Sequence, residues 1–243
     1  MLERRVCLLT GAGGVLGTTF CRLFGDRYDI AAVYRYRQPA APTQSVRFVD
    51  PIEPGTLLPE NDHPHYAIRA DLAEDGELER VVELALARFG RIDLLVNAAV
   101  HSVWAPIVDS KALLESAQRQ FLVNALVPLR LATLIAREFW RDRDSENRTV
   151  NRNVVNVSSI AGIYVYPHSG QSVYSASKAA LNNLTCHMAS EFAAFAVRVN
   201  ATAPDGFPRI VPTDDVARSI VRFDEGDATG RILVIGADGE RMI

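Results

Sequence analysis

The chain has 243 residues, a hydrophobic fraction of 48 % and a net charge of −3 at pH 7. That length allows one large core or two small ones, and the mild charge gives no electrostatic reason to expect nucleic acid or an anionic membrane as a partner. No apolar run approaches the ~18 residues of a membrane span, and the first ten residues read as a buried strand, not a signal peptide. The three cysteines, Cys7, Cys21 and Cys186, lack metal spacing; a reducing cytoplasm is the expected setting.

Strand-like and helical segments alternate along the chain. Strands are predicted at 5–10, 30–34, 66–69, 92–96, 154–157, 197–201 and 232–235. Helices are predicted from the glycines after Thr10 to about Gly25, then over 74–89, 111–143, 174–195 and 214–223. Such alternation implies a mostly parallel sheet of seven strands covered by helices on both faces, and uninterrupted apolar runs such as Leu94-Leu95-Val96 suit strands buried on both sides. No composition break divides the chain, so 1–243 reads as a single domain. The segment 38–65 holds six of the twelve prolines, which excludes a long helix and predicts an irregular connection. Within it, His63-Pro64-His65 beside Asp62 reads as solvated loop, and no metal site is expected.

Between the first strand and the first helix lies Thr10-Gly11-Ala12-Gly13-Gly14-Val15-Leu16-Gly17. Glycines there let the backbone turn tightly and approach a pyrophosphate, which the free N–H groups and positive dipole end of the helix would hold. After the second strand come Arg35 and Arg37, with no acidic residue from Ala31 to Ala41. An acid at that position would bind a ribose 2′-hydroxyl, whereas arginine accommodates a 2′-phosphate, so NADP(H) is expected.

Tyr174 and Lys178 stand four residues apart, which places them on one face of a helix. A free phenol titrates near pH ~10, and a neighbouring ammonium favours its ionised form. With seven Tyr and two Lys, chance alone supplies such a pair in about 6 % of chains of this composition.

Together these residues resemble the short-chain dehydrogenase/reductase family, in its short, single-domain branch. The resemblance runs in order through Thr10-Gly11 to Gly17, Asp71-Leu72, Val96-Asn97-Ala98-Ala99, Asn124, Asn156-Val157-Ser158-Ser159, Tyr174 with Lys178, and Arg198-Val199-Asn200-Ala201 to Ala203-Pro204. It implies a Rossmann-type fold and a homodimer or homotetramer built on 111–143 and 174–195. It also implies hydride transfer between NADP(H) and a ketone or secondary alcohol. By the same resemblance, Gly11, Gly13, Gly14, Leu16, Gly17, Asp71, Leu72, Asn97, Ala98 and Pro204 join Thr10, Arg35 and Arg37 around the cofactor. Ser159 would hold the substrate oxygen, Tyr174 would protonate it, and Lys178 would hold the nicotinamide ribose. Asn124 would bend its helix and hold a water. Net non-redox chemistry, such as epimerisation or dehydration, and a non-catalytic cofactor sensor are the other readings of such a scaffold.

Four features depart from the family pattern. Val15 replaces a usual glycine; Ser159 precedes Tyr174 by fifteen residues, two more than usual, leaving either Ser158 or Ser159 as the hydroxyl donor; Asp205 follows Pro204; and only eight residues separate Pro204 from Thr213, which is expected to cap the next helix. The shortened segment predicts an open site suited to a bulky substrate, with Tyr164, Tyr166 and His168 as pocket walls.

Overall fold

The computed structural model describes residues 4–39, 65–108 and 110–243. Strand β1 (Arg5–Thr10) leads into helix α1 (Val15–Phe24), followed by β2 (Tyr28–Tyr34) and β3 (His65–Arg69). Then come α2 (Glu77–Phe89), β4 (Leu94–Asn97), α3 (Lys111–Phe121), α4 (Val127–Ile135), α5 (Asp144–Val150) and β5 (Asn153–Val157). The remainder is α6 (Ser172–Phe192), β6 (Arg198–Pro204), α7 (Thr213–Glu225), β7 (Ile232–Gly236) and β8 (Gly239–Met242). The sheet order is β3-β2-β1-β4-β5-β6-β7-β8, and every pairing is parallel except β7 with β8.

This is the expected doubly wound α/β fold, with one strand more than predicted. Strand β8 is four residues long and exposed throughout, and it contains Glu240 and Arg241; it has no apolar alternation for a sequence reading to find. The strand order reverses between β1 and β4, which opens a crevice at their carboxyl ends.

Period-2 alternation divides the core. Leu8, Ala31, Leu95 and Val154 face α2, α4 and α6, where Val81, Leu131, Ile135 and Met188 meet them. Cys7, Leu9, Ile30, Val96 and Val155 face α1 and α7, against Phe20, Val216 and Ile220. Each Leu, Ile, Val, Phe or Met side chain among them contributes roughly 1.5–3 kcal/mol on full burial.

The predicted 111–143 helix is two α segments, α3 and α4, each followed by a π turn, Leu122–Leu126 and Ala136–Trp140, and it ends at Trp140; α5 is separate. The stretch Lys111–Trp140 is long and apolar enough to cross a membrane by length and composition, and half of its most apolar window is buried inside the fold. Pro212, not Thr213, stands at the N-cap of α7, because the chain leaves the extended conformation only after the proline; Thr213 is the first helical residue and is buried. His65 opens β3 and is buried, so it is not the solvated loop residue expected. The rest of the 38–65 segment beyond Pro39, with Asp62 and His63, lies outside the described residues.

At the amino ends of the strands sits a buried ionic layer that sequence reading missed. Asp224, at the end of α7, accepts from Arg5 Nε at 2.9 Å and Nη2 at 2.8 Å, and from the Tyr28 hydroxyl at 2.8 Å. Arg198 donates to the carbonyls of Phe223 and Asp224 at 2.7 and 2.9 Å. Asp93 takes Arg91 Nε at 2.7 Å, Arg152 Nε at 3.4 Å and the Val6 N–H at 3.0 Å. Paired and hydrogen-bonded in this way, the charges avoid most of the cost of burial.

Candidate active site

At the carboxyl end of β1 the chain turns at Gly11, whose φ of +70° is the left-handed conformation glycine tolerates. A Cβ on Gly11 would lie 2.7 Å from the Ala98 carbonyl, and one on Gly13 would run into the carbonyl oxygen of Arg37. Helix α1 then starts behind Gly14 with no side-chain cap and no acid in its first turn, so its free N–H groups and positive end are left for an anion.

These glycines line a cleft of about 440 Å³ with Arg35, Arg37, Asp71, Leu72, Ala98 and His101. A glycine cradle without Cβ atoms, an uncapped helix end and two arginines at the far wall fit the pyrophosphate and adenosine of a nicotinamide dinucleotide. Thr10, Leu16, Gly17 and Asn97 are not part of that wall. The Thr10 hydroxyl accepts from the N–H groups of Ala98 and Ala99 at 3.0 and 3.1 Å, tying β1 to β4 from behind. Leu16 is buried in the core, a Cβ on Gly17 would strike Ala12, and Asn97 Nδ2 donates to Asn156 Oδ1 at 2.9 Å. In the free protein these four residues support the ones that line the cleft.

A second cavity, about 530 Å³, opens beyond the end of β5. It joins Ser158, Ser159, Tyr174 and Pro204 with Trp104, Tyr166, Phe207, Arg209 and Ile210. Ser159 leaves β5 in extended backbone and caps a short 3₁₀ turn, its Oγ accepting from Ala161 N at 3.2 Å. It lines the same cavity as the Tyr174 phenol, whose pKa it acts to lower. Ser158 is buried and gives its hydroxyl to the Lys178 carbonyl at 3.3 Å. Of the two serines left open by sequence, Ser158 is committed to a backbone carbonyl of α6, and Ser159 is the one that acts on Tyr174.

Tyr174 and Lys178 both lie on α6, with the ammonium 6.0 Å from the centre of the phenol ring. Lys178 is buried and its Nζ donates to the Val157 carbonyl at 2.7 Å. Burial lowers its pKa to about 7. Burial also raises the Tyr174 phenol, and Ser159 opposes that rise. The net direction is opposite to the lowering expected from Lys178: desolvation disfavours the charged form of each group, and the Lys178 Nζ donates to a backbone carbonyl.

Asn124 sits in the first π turn, matching the expected local bend. Its amide exchanges two hydrogen bonds with the His101 backbone at 2.8 and 2.9 Å and donates to Ser177 Oγ at 3.0 Å. Of the expected walls, Tyr166 reaches the second cavity, while Tyr164 and His168 line the adjoining groove. Trp104 was missed: its ring lies 6.0 Å from that of Tyr174. It comes from a loop with no periodicity to mark it.

The family model described as short chain dehydrogenase matches residues 5–208. The chain belongs to this family. Members are oxidoreductases that use a nicotinamide cofactor, commonly oligomerise and act on small molecules. The 3-oxoacyl-[acyl-carrier-protein] reductase FabG of Thermotoga maritima is 30 % identical over 203 residues, covering 84 % of this chain and 74 % of that one. The 3beta-hydroxysteroid dehydrogenase 1 of Eggerthella lenta is 28 % identical over 239 residues, covering 98 % and 82 %. A Brucella ovis oxidoreductase crystallised in complex with a partially ordered NAD is 27 % identical with a TM-score of 0.70, covering 96 % of this chain and all of that one.

Proposed function

We propose that this short-chain dehydrogenase moves hydride between NADP(H) and a ketone or secondary alcohol, and that the substrate is bulky. The observation that carries the reading is the meeting of Ser159 and Tyr174, with Lys178 beside the phenol on α6, at a cavity walled by Trp104, Tyr166 and Phe207. The bound nicotinamide supplies the hydride and takes it back. Hydride arrival at a carbonyl carbon builds negative charge on oxygen, and donors already aimed at that oxygen lower the barrier. Ser159 donates to that oxygen, and Tyr174 transfers its proton to it. Burial supports this acid role by keeping the phenol protonated in the free enzyme. Lys178, at a pKa of about 7, is placed one helical turn away to resupply charge or a proton from the Val157 end of the site. Asn124 holds His101 and Ser177 in place around this helix.

The NADP(H) preference rests on Arg35 and Arg37 in the cleft wall at the end of β2. The Brucella ovis relative carries NAD, so the ratio of the two cofactors is the quantity to measure. The size preference rests on the eight-residue segment after Pro204, which leaves the 530 Å³ cavity without a long cover. Assembly as a homodimer or homotetramer is supported by Leu114, Phe121 and Leu126, apolar residues exposed on the helical run Lys111–Trp140.

The test is oxidation of NADPH and NADH, side by side, over a ketone series running from small aliphatic to aromatic and polycyclic. We expect kcat/KM to favour NADPH by about tenfold or more, the worth of one charge-assisted contact to phosphate. Equal use of NADH would remove the cofactor assignment, and activity confined to the smallest ketones would remove the substrate class.

A further inference from the structure

Arg119 stands in the last turn of α3, outside every motif of the sequence, yet it pairs with Asp71 of the cofactor cleft. Its Nη2 lies 2.8 Å from Oδ1 and 2.7 Å from Oδ2 of Asp71. The same carboxylate receives Arg35 Nε on Oδ2 at 2.8 Å. One anion in the cleft wall is therefore held by two cations. His101, in the same wall, has its pKa lowered by burial first and then by the positive charges of Arg119 and Arg35.

The two arginines are not equivalent. Arg119 spans both oxygens, and its nearest other acid, Glu74, is at 4.0 Å. Arg35 touches one oxygen, lines the cleft, and lays its guanidinium over the Tyr36 ring at 4.3 Å. A guanidinium that binds a phosphate must turn its donors toward it and give up a competing carboxylate. If Arg35 were the only cation on Asp71, its departure would leave an unpaired carboxylate facing the incoming phosphate, a like-charge contact that opposes binding.

We propose that Arg119 is a positioning residue for cofactor selectivity: by keeping Asp71 neutralised it releases Arg35 to take the 2′-phosphate of the dinucleotide. The proposal rests on the NADP(H) reading above. Arg119 itself touches neither the reacting atoms nor the phosphate; it acts through Asp71. Its removal therefore affects the phosphorylated cofactor selectively, and removal of the Asp71 charge cancels the effect.

The experiment titrates the purified full chain with adenosine 2′,5′-bisphosphate and with adenosine 5′-monophosphate by calorimetry. It compares the wild type with Arg119→Leu, Arg119→Lys, Asp71→Asn and the Arg119→Leu/Asp71→Asn double variant. Thermal unfolding confirms that each is folded. We expect the wild type to prefer the bisphosphate and Arg119→Leu to lose about tenfold of that preference, the size of one partly exposed charge contact. Arg119→Lys should retain part of the preference, and the double variant should regain it to within about threefold of wild type, since no carboxylate then competes for Arg35. Equal weakening of both ligands by Arg119→Leu, an unchanged preference, or failure of the Asp71→Asn rescue would each overturn the proposal. A wild type that does not distinguish the two ligands would instead overturn the NADP(H) reading, and this inference with it. If Arg119→Leu alone fails to fold, loss of preference in Arg119→Lys and its recovery in Arg119→Lys/Asp71→Asn decide the matter by the same comparison.

Discussion

The two ends of this sheet use similar side chains for opposite purposes. At the amino ends of the strands, Asp224 and Asp93 are saturated by Arg5, Tyr28, Arg91 and Arg152. At the carboxyl ends, Ser159, Tyr174, Arg35 and Arg37 face open cavities. The first layer spends its hydrogen bonds within the protein; the second keeps donors available for a ligand. A buried charge thus marks a site only when the groups around it leave something unmet.

Breaking the amino-end layer is expected to have the largest effect. Asp224→Ala leaves the Tyr28 hydroxyl without its acceptor and the Arg5 guanidinium with backbone carbonyls alone, and is expected to lower unfolding free energy by ~3 kcal/mol, measured by urea denaturation. Loss of less than ~1 kcal/mol would mean that water already screens this layer. At the other end, Tyr174→Phe is expected to lower kcat at least ~100-fold while dinucleotide binding persists, because it removes only the proton donor. Unchanged turnover would take Tyr174 out of the mechanism and make the two ends alike.

A third change sharpens the comparison through pH. Lys178 has a folded pKa of about 7 against 10.5 for the free side chain. Below both values each state is protonated, and the cost of burying the ammonium is fully present. Between them the unfolded chain binds a proton that the folded chain has released, so stability rises with pH across this window. Wild type is expected to gain up to ~2–3 kcal/mol from about pH 7 to about pH 9 from this residue, a gain that Lys178→Met should lack. Parallel pH curves for the two proteins would show that Lys178 stays charged in the fold.

Much of the frame was legible because it repeats. Period-2 strands, helical stripes and the ordered glycine turn identified the α/β fold, and the spacing of Tyr174 and Lys178 located the active helix. What escaped lacks local pattern. The Asp71–Arg119 pair spans 48 residues and the Arg5–Asp224 pair 219, distances at which no periodicity operates. Trp104 sits in a loop, β8 is short and exposed throughout, and the choice between Ser158 and Ser159 depends on how the chain turns after β5. The pKa of Tyr174 departed from expectation because burial acts on both members of the pair, a property of depth and not of spacing.

The π turn at Asn124 has a practical corollary for redesign. One side-chain amide clips the His101 backbone on one side and Ser177 of the active helix on the other. Trp104, in the loop just beyond His101, and Tyr166, in the loop before α6, hang outside that clip. The wall can therefore be treated as a cassette: loops grafted beyond His101 change what the cavity admits, while the clip keeps the chemistry of α6 in register.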